Sequence, residues 1–168
     1  GPHIKDTFAA EFLENDKGVI EAVARAVGFR KKTEFIYMIN KGCNVNPEIN
    51  INGVLPAEYR RIPFENIIYI GDGPTDVPCF SMLNKRNGIS LAVYNQNDKN
   101  DKNDQKAFEQ AFMLRKQERV VSFGPADYRE NEHTYNCILS SVMNIANNIV
   151  EARKMEIKKK ISPAPMHF

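Results

Sequence analysis

The sequence is short of the features that announce a specialised protein. Its three cysteines, Cys43, Cys79 and Cys137, lie far apart and form no Cys-x-x-Cys pair. An odd, scattered count argues against a disulfide framework or a thiolate zinc site, and fits a reducing cytoplasm. No apolar run approaches the roughly 20 residues that a bilayer-spanning helix needs. The opening GPHIKDTF lacks the apolar centre of a signal peptide. Charge of one sign is scarce too: 23 lysines and arginines nearly balance 21 aspartates and glutamates, a formal +2. Neither nucleic acid nor a membrane is expected as a partner on that balance. What remains is an ordinary globular composition, 42% hydrophobic and 26% charged over 168 residues. That length fits one domain, residues 1–168, able to bury roughly 70% of its unfolded surface.

Turn residues divide the chain. AAEFL, the turn ENDKG and VIEAVARAV read as strand, turn, strand, although the alanines also permit a helix in the second segment. KTEFIYMINKG predicts a short helix with Phe35, Ile36, Met38 and Ile39 on one face and Gly42 as its stop. Residues 43–63, rich in Asn, Pro and Gly, read as a long loop. NIIYI and ISLAVY are continuous apolar runs of the kind found in buried parallel strands, with a helix between them. Residues 104–118 predict a helix, RVVSF a short strand, and 132–158 a long terminal helix. Alternation of this kind predicts an α/β domain on a parallel sheet.

Two polar stretches invite a function and do not carry one. NQNDKNDKNDQK (95–106) imitates a calcium loop, with Asp98, Asn100 and Glu109 at positions one, three and twelve. Position five is Lys102 and position six is Asn103 instead of glycine, so charge and geometry both fail and a solvated loop is expected. The basic end EARKMEIKKK reads as a solvated helix terminus whose lysines complement the helix dipole.

The chemistry concentrates in IIYIGDGPTD, residues 67–76. An apolar strand runs into Gly71-Asp72-Gly73, and Asp76 follows four positions after Asp72. Ligands of open parallel sheets bind at the carboxyl ends of the strands. The two glycines are expected to let the backbone turn and a ligand approach. Pro78 places the helix start near Val77, since proline is tolerated only in a first turn. Two readings then compete. Asp76 is a good helix N-cap and Asp72 an ordinary turn residue. Alternatively, the pair offers oxygen ligands to a hydrated Mg²⁺.

The stretch IIYIGDGPTDVPCFS resembles the fourth motif of the haloacid dehalogenase superfamily, an apolar strand followed by Gly-Asp-x-x-x-Asp, here Gly71, Asp72 and Asp76. KTEFIYMINKG resembles the third-motif region of a bacterial subgroup, where a lysine precedes a helix. PADYRENEHTYNCILSSVMNIANNIV and KKKISPAP are similar to that subgroup's C-terminal part, so the resemblance runs along nearly the whole chain. It implies a three-layer, Rossmann-like parallel sheet and a Mg²⁺-dependent phosphohydrolase acting on a phosphorylated small molecule. Asp72 would be a metal ligand, and Asp76 would support the metal site or orient the lysine. Lys32, with Lys31 as its neighbouring alternative, would balance charge at the phosphoryl group. Gly71, Gly73 and Thr75 would form the loop around it.

The nucleophile of that superfamily is an aspartate in an Asp-x-Asp motif, and the sequence contains no Asp-x-Asp. The second motif, a Ser or Thr at a strand end, has no candidate ahead of Lys32 in a suitable context either. The resemblance therefore implies the C-terminal portion of such an enzyme, its sheet incomplete on the N-terminal side. An exposed edge there would favour a missing N-terminal segment or self-association. The alternative is a non-catalytic α/β binding module.

Overall fold

The computed structural model describes residues 3–96 and 102–161. The centre of the Asn-Asp-Lys insert, including Asp98 and Asn100, lies outside them, as do the first two residues and the stretch from Ser162 onward. Where the sequence reads as one domain, the chain divides into two compact units, the first ending at Ala126 and the second beginning at Asp127.

In the first unit, β1 (Glu11–Glu14) and β2 (Ile20–Arg25) form an antiparallel hairpin. Gly18 turns it at φ 74°, and the Asn15 side chain accepts from the backbone N–H groups of Lys17 and Val19. The strand alternative for 19–27 therefore holds. Helix α1 (Phe29–Lys41) ends at Gly42, whose φ of 90° is left-handed. The N–H groups of Gly42 and Cys43 both donate to Met38 O, at 2.8 and 3.0 Å, which satisfies the carbonyls of the last turn.

The buried stripe of α1 differs from the apolar face read in the sequence. Its fully buried members are Ile36 and Asn40, one helical turn apart. Asn40 is tolerated there because its amide donates to Ile62 O at 2.7 Å, while Ile62 N–H returns a bond to Asn40 O. Tertiary partners decide which face of the helix is inside. The 43–63 loop is pinned in the same way: the Lys41 ammonium donates to the carbonyls of Ile51 and Gly53.

Strand β3 (Ile68–Gly71), helix α2 (Val77–Asn84), strand β4 (Ile89–Tyr94), helix α3 (Lys102–Lys116) and strand β5 (Ser122–Pro125) follow. The three strands form a parallel sheet in the order β3-β4-β5. This is an α/β arrangement, with NIIYI and ISLAVY adjacent and parallel as their apolar runs predict. β4 is central and β3 is an edge strand among the described residues.

Several boundaries move by a few residues, two of them around α3. Helix α3 starts at Lys102, two residues before the predicted 104, and takes in the end of the stretch read as a solvated loop. The last strand starts at Ser122 instead of Arg119, because the chain first closes α3 with Glu118 at φ 56° and an Arg119 N–H to Leu114 O bond.

Alternation and register place Tyr69, Ser90, Ala92 and Tyr94 on one face of the sheet. Phe80 of α2 and Ala111 of α3 pack with Ala92 and Val120 on that face, flanked by Tyr69 and Tyr94. A second cluster joins Ile36 of α1 to Phe64, Cys79, Met82 and Leu83, again with Tyr69 against it. Tyr69 thus touches both cores. The second unit is carried by helix α4 (His133–Lys160), with three lysines in its last turn as the dipole favours. No helix among the described residues is long and apolar enough to cross a membrane.

Candidate functional site

Because the sheet is parallel, β3, β4 and β5 end on one side, and the Asp72 loop sits at that end. The chain leaves Gly71, makes a 3-10 turn over Pro74–Asp76 and enters α2 at Val77 with Pro78 in the first turn. Neither Gly71 nor Gly73 takes a positive φ, so the backbone turns here without left-handed geometry. Gly71 is required for another reason. A Cβ there would stand 2.6 Å from Asp76 Cγ, so the glycine makes room for a carboxylate. Around Gly73 there is open space.

Asp76 is only 2% exposed and accepts four hydrogen bonds. Its Oδ1 accepts from Lys32 Nζ at 2.8 Å and from the Tyr69 hydroxyl at 2.5 Å. Its Oδ2 accepts from the backbone N–H groups of Asp72 and Gly73, at 3.2 and 3.3 Å. It makes no side-chain cap to α2; it ties the loop back onto itself. Burial pushes its pKa up most strongly, but the hydrogen bonds from Lys32 and Tyr69, the lysine's charge and the Gly73 N–H together hold it below the ordinary carboxylate value. The Tyr69 hydroxyl is driven strongly upward, first by burial and then by its bonds to Asp76 and Cys79, so it remains a donor at neutral pH.

The structure brings Lys32 and the loop together across 44 positions of sequence. Its ammonium also donates to Thr75 Oγ1 at 3.2 Å, which uses two of its three N–H bonds. Lys31 points elsewhere and pairs with Glu34 at 2.8 Å. Asp72 is exposed at the mouth of the loop. It lines a cleft of about 400 Å³ together with Pro74, Val77 and, from α3, Lys106 and Glu109.

The donor set decides what cation the loop could hold. Both oxygens of Asp76 are already engaged, which leaves Asp72 as the open carboxylate. The described residues contain no group of three or more His, Cys, Asp or Glu able to hold a metal. Mg²⁺ takes one or two carboxylates and keeps several waters. The loop itself therefore offers a cation one open carboxylate, Asp72, with Glu109 of α3 lining the same cleft.

Sequence reasoning missed Tyr69, Cys79 and Thr33. The thiol of Cys79 is fully buried and 3.6 Å from the Thr33 hydroxyl, beside Tyr69. A signal for Tyr69 was present, since a tyrosine in an otherwise aliphatic strand must find a partner for its hydroxyl.

The chain is 33% identical over 158 residues to a Borreliella burgdorferi protein described only as uncharacterized. That match takes in 84% of this chain and 50% of the relative, so the chain spans about half the length of the curated protein it matches. No family model matches the sequence, and no solved structure matches it.

Proposed function

We propose that this chain is the charge-balancing and metal-loop portion of a Mg²⁺-dependent phosphohydrolase of the haloacid dehalogenase type. The observation that carries the reading is the reach of Lys32 from α1 to Asp76, 2.8 Å away on a Gly-Asp-x-x-x-Asp loop at a strand end. In this reading the sheet belongs to a three-layer, Rossmann-like core whose first strand adds to the open edge of β3. That strand supplies the nucleophilic aspartate, which also completes the cation's ligands beside Asp72. The bound Mg²⁺ supplies charge stabilisation to the phosphoryl oxygens. Lys32 holds a fixed positive charge where negative charge gathers, and Asp76 and Thr75 fix the lysine. The substrate is a small phosphorylated molecule. Three free thiols fit a cytoplasmic setting.

The experiment is expression of the reading frame extended upstream, followed by hydrolysis of an aryl phosphate with and without Mg²⁺. Turnover that is lost in Asp72→Asn and in Lys32→Ala supports the reading. An extended protein with no Asp-x-Asp, or turnover indifferent to both substitutions, sinks it. The absence of Asp-x-Asp from these 168 residues favours the second reading, an α/β module that binds a partner and catalyses nothing.

A further inference from the structure

The phosphohydrolase reading assigns tasks to Lys32, Asp72 and Asp76 and leaves the Tyr69 hydroxyl unexplained. Tyr69 is poorly suited to be a passive core residue. Its ring bridges two hydrophobic clusters, yet its polar end is directed at the carboxylate that holds the lysine. A phenylalanine would fill the same volume without burying a hydroxyl.

We propose that Tyr69 is a positioning residue that fixes Lys32 by sharing Asp76 Oδ1 with it. A carboxylate oxygen offers two in-plane lone-pair sites. The Tyr69 hydroxyl takes one at 2.5 Å and Lys32 Nζ takes the other at 2.8 Å. The hydroxyl direction is set by the β3 backbone and by the ring, which stands edge-on to Phe80 with centroids 5.7 Å apart. Oδ2 is held by two backbone N–H groups of the loop, so the carboxylate cannot rotate to present a different site. One place on Asp76 is therefore left for the ammonium, and the Thr75 hydroxyl selects its orientation. Lys32 then presents its third N–H in a single direction. Without the hydroxyl, Oδ1 has two acceptor sites for one mobile lysine, and that direction is lost.

The inference deepens the phosphohydrolase reading and takes its functional meaning from it, but its test needs no turnover. Lysine ammonium groups give a ¹H–¹⁵N signal only when hydrogen bonding slows their exchange with water. The Lys32 signal, assigned by its loss in Lys32→Arg, is expected in the whole wild-type chain at a fixed pH. It should disappear in Tyr69→Phe and persist in Phe80→Leu, which loosens the same ring contact and keeps the hydroxyl. A wild-type chain with no Lys32 signal, or a signal unchanged in Tyr69→Phe, overturns the proposal. Unfolding measurements on Tyr69→Phe, Lys32→Met and the double variant give an independent reading. The two substitutions should be non-additive if they act through one oxygen, and strict additivity overturns the proposal. An inactive extended protein would sink the phosphohydrolase reading and leave both of these results standing.

Discussion

A methyl group on Gly71 would lie 2.6 Å from Asp76 Cγ and 2.7 Å from its Cβ, with no flexible chain end to give way. Gly71→Ala should therefore cost about 1–3 kcal/mol in urea unfolding, the usual range for overpacking. Gly73→Ala should stay within about 0.5 kcal/mol, because its surroundings are open. Removing the carboxylate leaves a partly exposed lysine, the Tyr69 hydroxyl and two N–H groups without their acceptor. Asp76→Ala should cost about 1–3 kcal/mol. The pH dependence follows from the direction of the shift. Asp76 has a folded pKa below its ordinary 3.8, so the unfolded chain binds its proton first as pH falls. The stability it contributes is complete above that ordinary value and lost as pH drops through the folded one. Asp127 is lowered too, first by its hydrogen bond from the Arg129 side chain, so the comparison has to be made within one site. The pH slope of stability below about pH 4 should flatten in Asp76→Asn relative to wild type, measured by the urea midpoint. An equal slope in both proteins would show that Asp76 is not linked to folding.

Strand β3 is paired with β4 on one side and, among the described residues, with nothing on the other. Unpaired strand edges template association, and charged side chains on an edge suppress it. Ile70→Lys should therefore reduce concentration-dependent association in sedimentation velocity, while an equivalent charge in the exposed 43–63 loop should not. Sedimentation independent of concentration in the wild-type chain would remove the premise. Most elements could be read from the sequence at this scale, because a continuous apolar run or a left-handed glycine such as Gly42 acts locally. The buried stripe of α1 could not, because Asn40 becomes an inside residue only through the carbonyl of Ile62, 22 positions away. The shifted start of β5 has the same origin, since the close of α3 consumed the residues before it.

For the molecule as a whole, the balance of parts predicts chemistry that stays unfinished. Lys32 is fixed by Asp76 and Thr75, and in the proposed reading Asp72 would be one open metal ligand while the sequence holds no Asp-x-Asp to attack phosphorus. The 168-residue chain should show no aryl phosphatase turnover in excess Mg²⁺, and Asp72→Asn should be indistinguishable from it. Turnover abolished by Asp72→Asn would reveal a nucleophile elsewhere in the chain. The sequence by itself determined the element types, the parallel pairing of NIIYI with ISLAVY, and the placing of two carboxylates at a strand end. These follow from patterns that repeat over a few residues, where steric and turn preferences act. Only the tertiary structure decided that Lys32 and not Lys31 meets the loop, that Asp76 is enclosed while Asp72 is open, and that Tyr69 shares the lysine's oxygen. Those outcomes depend on how a helix, a strand and a loop from distant parts of the chain converge on a single buried carboxylate, whose oxygens need hydrogen-bond donors once they are removed from solvent.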